Sequence, residues 1–296
     1  MTDELRQALH GVGITPVTPF STDLTRVDVG GLGANLEYIL ERGARLLYPC
    51  GNTGEFTSLS LDEWSTVVET TIAVAAGRAA VVPGIGHGYT AAREMLQRAA
   101  SLGAAGALVM PPHPTYLADA GLIAHSAGLA DEDALPLVVY KRGGWPSSDG
   151  IIELVNQVPV AGVKDGETDV SAFARYVSAS PSGVVWTCGT AERYAPFFAT
   201  AGARGFTSGL ANVAPHLSLD MQQALEREDI ATALELRERC LPFEELRARH
   251  GSANNVAAVK TALDARGLAG GRVRPPMRDL DEPTAAEVHG MVAAWF

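Results

Sequence analysis

Eight short apolar runs punctuate the first 215 residues of this 296-residue chain, and each gives way to glycine, proline or polar residues and then to a stretch with helical periodicity. The runs are Gly13–Phe20, Leu46–Gly51, Ala80–Gly86, Ala107–Pro111, Leu137–Arg142, Val160–Lys164, Val184–Cys188 and Gly205–Gly209. Runs that are apolar without alternation suit strands covered on both faces, and strands separated by helices pair in parallel through right-handed crossovers. Eight such units predict an α/β fold, a (β/α)8 TIM barrel, for which about 250 residues is typical. The main competitor is an open doubly wound sheet. That fold would carry a glycine-rich phosphate loop after its first strand, and Gly13-Ile-Thr-Pro-Val-Thr-Pro19 has neither GxGxxG nor GxxxxGK[ST].

Local signals agree. Ser60 and Glu63 have the spacing of a capping box, and Leu59 with Trp64 stands at the positions of a hydrophobic staple. Trp64, Val67, Val68, Ile72 and Ala75 then fall on one helical face, and Ala92, Met95, Leu96, Ala99 and Leu102 repeat the pattern. After Val213-Ala-Pro215 the strand signals stop. The spacing predicts helices around Leu217–Leu225, Ala231–Leu246, Asn255–Asp264 and Thr284–Phe296, giving a catalytic barrel over residues 1–215 and a C-terminal helical extension over 216–296. Arg272-Val-Arg-Pro-Pro276 cannot continue a helix, because its prolines lack donors and restrict their neighbours. The arginine-rich stretch Glu244–Arg249 reads as a solvated helix face.

Charge and composition narrow the function classes. A net charge of −11 argues against binding nucleic acid or an anionic membrane, so an anionic ligand must be held by local groups. Three cysteines, Cys50, Cys188 and Cys240, form no CxxC pair, and a reducing cytoplasm is the default expectation. Seven histidines show no HxH or HExxH spacing, so no metal is expected. No stretch of eighteen apolar residues occurs and the N-terminus has no signal-like pattern; the expectation is a soluble, unexported protein.

In such a barrel the chemistry lies at the C-terminal ends of the strands. The candidates there are Gly51, Asn52, Thr53 and Glu55 after strand 2, Pro112 and His113 after strand 4, Tyr140 and Arg142 on strand 5, Lys164 on strand 6, Thr190 and Glu192 after strand 7, and Ser208 and Asn212 on and after strand 8. Lys164 stands out because the chain holds only three lysines, Lys141, Lys164 and Lys260, against twenty arginines. An amine closing an apolar strand loses its preference for the ammonium form, and the free amine can attack a ketone. The bland reading is an ion pair with Asp165 or Glu167. Alternation along the strands puts Tyr140 beside Lys164 if both face the interior, and Gly162 below the lysine would leave room for its alkyl chain or mark a tight approach. Gly51-Asn-Thr-Gly-Glu55 could hold a carboxylate through backbone N–H groups, or be an ordinary turn with Gly54 at positive φ.

Several strings coincide with one family. Pro16-Val-Thr-Pro-Phe20, Gly51-Asn-Thr-Gly-Glu55, Tyr140, Gly162-Val-Lys-Asp165 and Gly202-Ala-Arg-Gly-Phe-Thr-Ser-Gly-Leu-Ala-Asn212 resemble the dihydrodipicolinate synthase and N-acetylneuraminate lyase family of Schiff-base aldolases and dehydratases, across nearly the whole chain. The resemblance implies a (β/α)8 barrel, a homotetramer, no cofactor beyond the covalent imine, and a small-molecule 2-oxo acid substrate. It places the Schiff base on Lys164, proton transfer on Tyr140 and the carboxylate loop on Asn52 and Thr53. Gly51-Asn-Thr-Gly-Glu-Phe56, Lys164-Asp-Gly166 and Val273-Arg-Pro-Pro276 look closest to the branch that dehydrates and decarboxylates 5-dehydro-4-deoxyglucarate. For such a diacid, Arg142 is the candidate partner of the distal carboxylate, and Ser208 and Asn212 of substrate hydroxyls. Trp145 replaces the loop arginine of the synthases, Met110-Pro-Pro-His113 lacks their paired tyrosines, and Lys141 replaces the asparagine usual in the dehydratase branch. The rival readings are a retro-aldolase releasing pyruvate and a binding barrel without turnover.

Overall fold

The computed structural model describes residues 3–112 and 116–296. Nine strand segments form one parallel sheet: β1 (Val12–Ile14), β2 (Leu46–Leu47), β3 (Ala80–Val81), β4 (Gly84–Ile85), β5 (Ala107–Val109), β6 (Leu137–Lys141), β7 (Gly162–Asp165), β8 (Val185–Cys188) and β9 (Gly205–Ser208). Their order is β3-β2-β1-β9-β8-β7-β6-β5-β4. The two segments at the ends of this order, β3 and β4, are halves of one apolar run interrupted at Val82-Pro83. Proline cannot donate to a ladder, yet Val82 N–H reaches Leu47 O and Gly84 N–H reaches Pro49 O, so pairing to the second stave continues past the break. Because β3 pairs with β2 and β4 with β5, the sheet closes on itself as an eight-stave TIM barrel.

Helix α3 (Leu61–Ala75) shows how local sequence fixes the outer ring. Ser60 Oγ accepts from Glu63 N–H and Glu63 Oε2 accepts from Ser60 N–H, completing the predicted capping box, while Trp64, Val67, Val68 and Ala75 are buried. At the opposite end of the barrel from the lysine, α1 (Asp3–Leu9) packs against β1, β3 and β8 with Leu5 and Leu9 buried.

Beyond the last strand, α9 (Pro215–Glu226) packs on β1, β9 and α8 (Ala191–Thr200). Helix α10 (Ile230–Ser252) covers α8 and α9 and leaves helical geometry at Arg249, His250 and Gly251, where α11 (Asn255–Asp264) follows; α12 (Glu282–Trp295) lies on α10 and α11. Phe243, Leu246, Ala258, Val259 and Trp295 belong to the same continuous core as the barrel residues. The segment Glu244–Arg249 departs from the solvated face expected of it. Glu244 and Arg247, three apart on one face of α10, are both buried and form an ion pair at 2.5 Å, and Arg247 also donates to Asn255 Oδ1. Only the far side, including Glu245 and Arg249, is exposed. Among the described residues no helix is long and apolar enough to cross a membrane.

Candidate active site

The register decides which side chains share the barrel interior. Tyr140 of β6, Lys164 of β7 and Thr187 of β8 are direct partners and so stand at one height and on one face. Lys164 is only 4% exposed, and its Nζ lies 4.1 Å from the centre of the Tyr140 ring. Gly162, two residues below, does not make room for the lysine stem. A Cβ there would lie 2.6 Å from the carbonyl oxygen of Val185, so the glycine permits β7 and β8 to approach closely.

Arg142 continues the same face of the β6 segment, and its Nη1 donates to Tyr140 Oη at 3.0 Å. Asn52 Nδ2 approaches the same oxygen at 3.5 Å, bringing the loop after β2 onto the tyrosine. Burial alone would push the Tyr140 phenol up, but the ammonium of Lys164 and the guanidinium of Arg142 outweigh it and leave the phenol below its ordinary range. Burial lowers the Lys164 amine; the Tyr140 oxygen pulls against this and Arg142 adds to it. Both groups are thereby held below their ordinary values while in contact, which suits them to pass a proton at a pH lower than either would manage free in water. Since Arg142 depresses both, Arg142→Gln is expected to move the kcat/KM profile to higher pH, a shift read directly from a pH series; an unmoved profile would separate Arg142 from the pair.

The loop after β2 is held by close packing. A Cβ on Gly51 would lie 2.7 Å from Thr15 Cγ2, and one on Gly54 would lie 2.9 Å from the carbonyl oxygen of Pro16. Gly54 is required by that approach, since the positive φ values fall on Cys50 (55°) and Glu55 (57°). Thr18 Oγ1 donates to the Gly54 carbonyl, and Thr53 is buried.

Other candidates face away from the mouth. Lys141, Asp165 and Cys188 form the next row of the register and point into the helix layer, where Lys141 Nζ donates to Pro146 O. Asp165 is pushed up to about 6 by burial, against the pull of the Glu167 N–H and Lys141. Ser208 also faces outward: its Oγ accepts from Ala211 N–H and meets Ser218 Oγ, which in turn donates to Glu192 Oε1. Burial, reinforced by the nearby Glu244, raises the Glu192 carboxyl. Asn212 spends its amide on the backbone, accepting from Val17 N–H and donating to Thr15 O and Gly209 O. The expectation that Ser208 and Asn212 meet substrate hydroxyls therefore has no support in this geometry. Thr190 precedes α8 with its Oγ1 3.2 Å from Cys188 Sγ. Near the mouth Pro112 is half-buried and Trp145 is exposed, and His113 lies outside the described residues. Sequence reasoning overlooked Thr187, whose Oγ1 bonds to Val163 O beside the lysine; only the register reveals its height.

A family model described as the dihydrodipicolinate synthetase family matches residues 8–295. A "Probable 5-dehydro-4-deoxyglucarate dehydratase 2" of Streptomyces avermitilis is 35% identical over 94% of this chain and 84% of its own length. A 4-hydroxy-tetrahydrodipicolinate synthase of Exiguobacterium sp. is 32% identical over 94% and 95%. The crystal structure of dihydrodipicolinate synthase from Oceanobacillus iheyensis superposes with a TM-score of 0.94 at 33% identity, covering 99% of this chain and 98% of that one. With the closed barrel and its buried lysine, these matches mean that the chain belongs to the dihydrodipicolinate synthetase family and is a lyase.

Proposed function

We propose that the protein is a Schiff-base lyase of 2-oxo acids in which Lys164 attacks the ketone carbon. The observation that carries this is the placement of Lys164 Nζ, buried, against Tyr140, whose hydroxyl receives the Arg142 guanidinium and faces the Asn52 amide. Imine formation expels the ketone oxygen as water, with Tyr140 moving the protons. The loop carrying Gly51, Asn52 and Thr53 holds the carboxylate beside the ketone. The protonated imine then stabilises the carbanion left when a proton departs from the neighbouring carbon.

For the substrate we favour 5-dehydro-4-deoxyglucarate or a similar sugar diacid, supported by the likeness to named dehydratases and by Arg142, whose fork keeps further N–H groups for a distal carboxylate beyond the one given to Tyr140. Loss of the β-hydroxyl as water and of the distal carboxylate as carbon dioxide gives 2,5-dioxopentanoate. The outward position of Lys141 favours keeping the dehydratase reading despite its departure from the branch pattern, because that substitution falls behind the pocket wall. No cofactor is required; a cytoplasmic homotetramer is the proposed form.

The test supplies a 2-oxo diacid and measures products. Carbon dioxide with a 2,5-dioxo acid is the expected result; pyruvate with an aldehyde identifies a retro-aldolase, and thermal stabilisation by the ligand without any product identifies a binding barrel. Borohydride added with pyruvate is expected to fix a mass increment on Lys164, and turnover with an unmodified Lys164 would exclude the imine.

A further inference from the structure

The strings Gly51-Asn-Thr-Gly-Glu-Phe56 and Val273-Arg-Pro-Pro276 lie more than two hundred residues apart in sequence and meet in space. Glu55 closes the loop after β2, and its carboxylate is buried beneath it. Its Oε1 pairs with Lys260 Nζ of α11 at 2.5 Å, and its Oε2 accepts from the backbone N–H of Arg274 at 3.0 Å. Lys260, itself buried, also donates to Arg272 O at 2.8 Å, so it holds both the loop and the segment crossing it. Arg274 completes the clasp. Its guanidinium grips Glu63 through two N–H groups, donates to Ser58 O and Leu24 O, and lies 4.0 Å from the centre of the Phe20 ring.

We infer that Glu55, Lys260 and Arg274 are positioning residues through which the C-terminal extension fixes the carboxylate-binding loop at the barrel mouth. Glu55 sits at φ 57°, a left-handed conformation that a residue with a Cβ adopts only where its surroundings over-determine it. The buried charge pair supplies that determination from one side, and Thr18 on the Gly54 carbonyl supplies it from the other. Asn52 is within one turn of this anchor, since Glu55 N–H bonds to Asn52 O at 3.2 Å and Phe56 N–H to Gly51 O at 3.2 Å. If Glu55 relaxed, Asn52 and Thr53 would move with it, and a displacement of about 1 Å in a substrate-positioning group can cost a hundredfold.

The inference rests on the reading of Gly51–Thr53 as the carboxylate loop, so the experiment compares two ketones, pyruvate and the uncharged hydroxyacetone, in borohydride trapping on Lys164. Single changes at Glu55 or Lys260 would strand a buried charge; the Glu55→Gln/Lys260→Met double variant removes both charges. It is expected to raise the pyruvate concentration needed for half-maximal trapping by about tenfold or more, with the limiting rate and hydroxyacetone trapping unchanged, and to speed amide exchange in residues 51–56. Arg274→Ala, which leaves the Glu55–Lys260 pair in place, is the second arm and moves the same ratio in the same direction, keeping the test open if the double variant does not fold. Equal losses with both ketones, or no change in the ratio, overturn the clasp. A wild type that forms no adduct with pyruvate overturns instead the site reading beneath it.

Discussion

Lys164→Ala is expected to abolish the borohydride-trapped adduct and to lower turnover by roughly four orders of magnitude or more, since removing the group that forms the covalent intermediate removes the whole route. Lys164→Arg should fare no better, because a guanidinium keeps the charge but cannot form the imine. Loss of activity must be separated from loss of fold, and stability supplies the control. Burial lowers the folded-state pKa of Lys164, so the folded chain holds that proton less tightly than the unfolded chain. The resulting penalty is fully present below the folded pKa and fades as pH rises toward the unfolded value near 10.4. Lys164→Met is therefore expected to be more stable than the wild type by on the order of 1 kcal/mol near neutral pH, the gap narrowing in alkali. Denaturant midpoints across a pH series check this. A methionine variant that is inactive and less stable would mean that the lysine is structural.

Tyr140→Phe should produce a different pattern. Removing one hydroxyl that already bonds to Arg142 takes away the proton carrier but leaves the nucleophile, so turnover is expected to fall by about 10²–10⁴-fold while an adduct on Lys164 still forms, more slowly. The adduct separates carrier from nucleophile: a phenylalanine variant that traps pyruvate at the wild-type rate would remove Tyr140 from imine formation. Arg142 is left without its acceptor in this variant, so Tyr140→Phe/Arg142→Gln should lose less than the product of the two single losses.

Much of the barrel can be read directly from the amino-acid order. Both faces of every stave are buried, so the runs are apolar without alternation, and the capping box of α3 is wholly local. What escapes is whatever depends on register or on distant partners. Ser208 turns outward while Thr187 turns inward, a distinction fixed by which residue pairs with Lys164 and with Ile14. The burial of Glu244 with Arg247 depends on the packing of α10 over α8 and α9, and Glu55 and Lys260 are joined only by the fold. One signal was present for the last pair. All three lysines of the chain are buried, at 3, 4 and 0% exposure for Lys141, Lys164 and Lys260, so the scarcity that singles out Lys164 applied equally to the other two.

The burial of Lys164 against the Tyr140 ring has a consequence for the timing of an entropic cost. Ordering a free lysine side chain costs about 1.5–2 kcal/mol of rotational freedom. Here the Lys164 side chain is buried and its amine lies against the Tyr140 ring, so most of that freedom is given up before any ketone arrives. That loss is incurred once, when the chain folds, and is not charged again at each encounter with substrate.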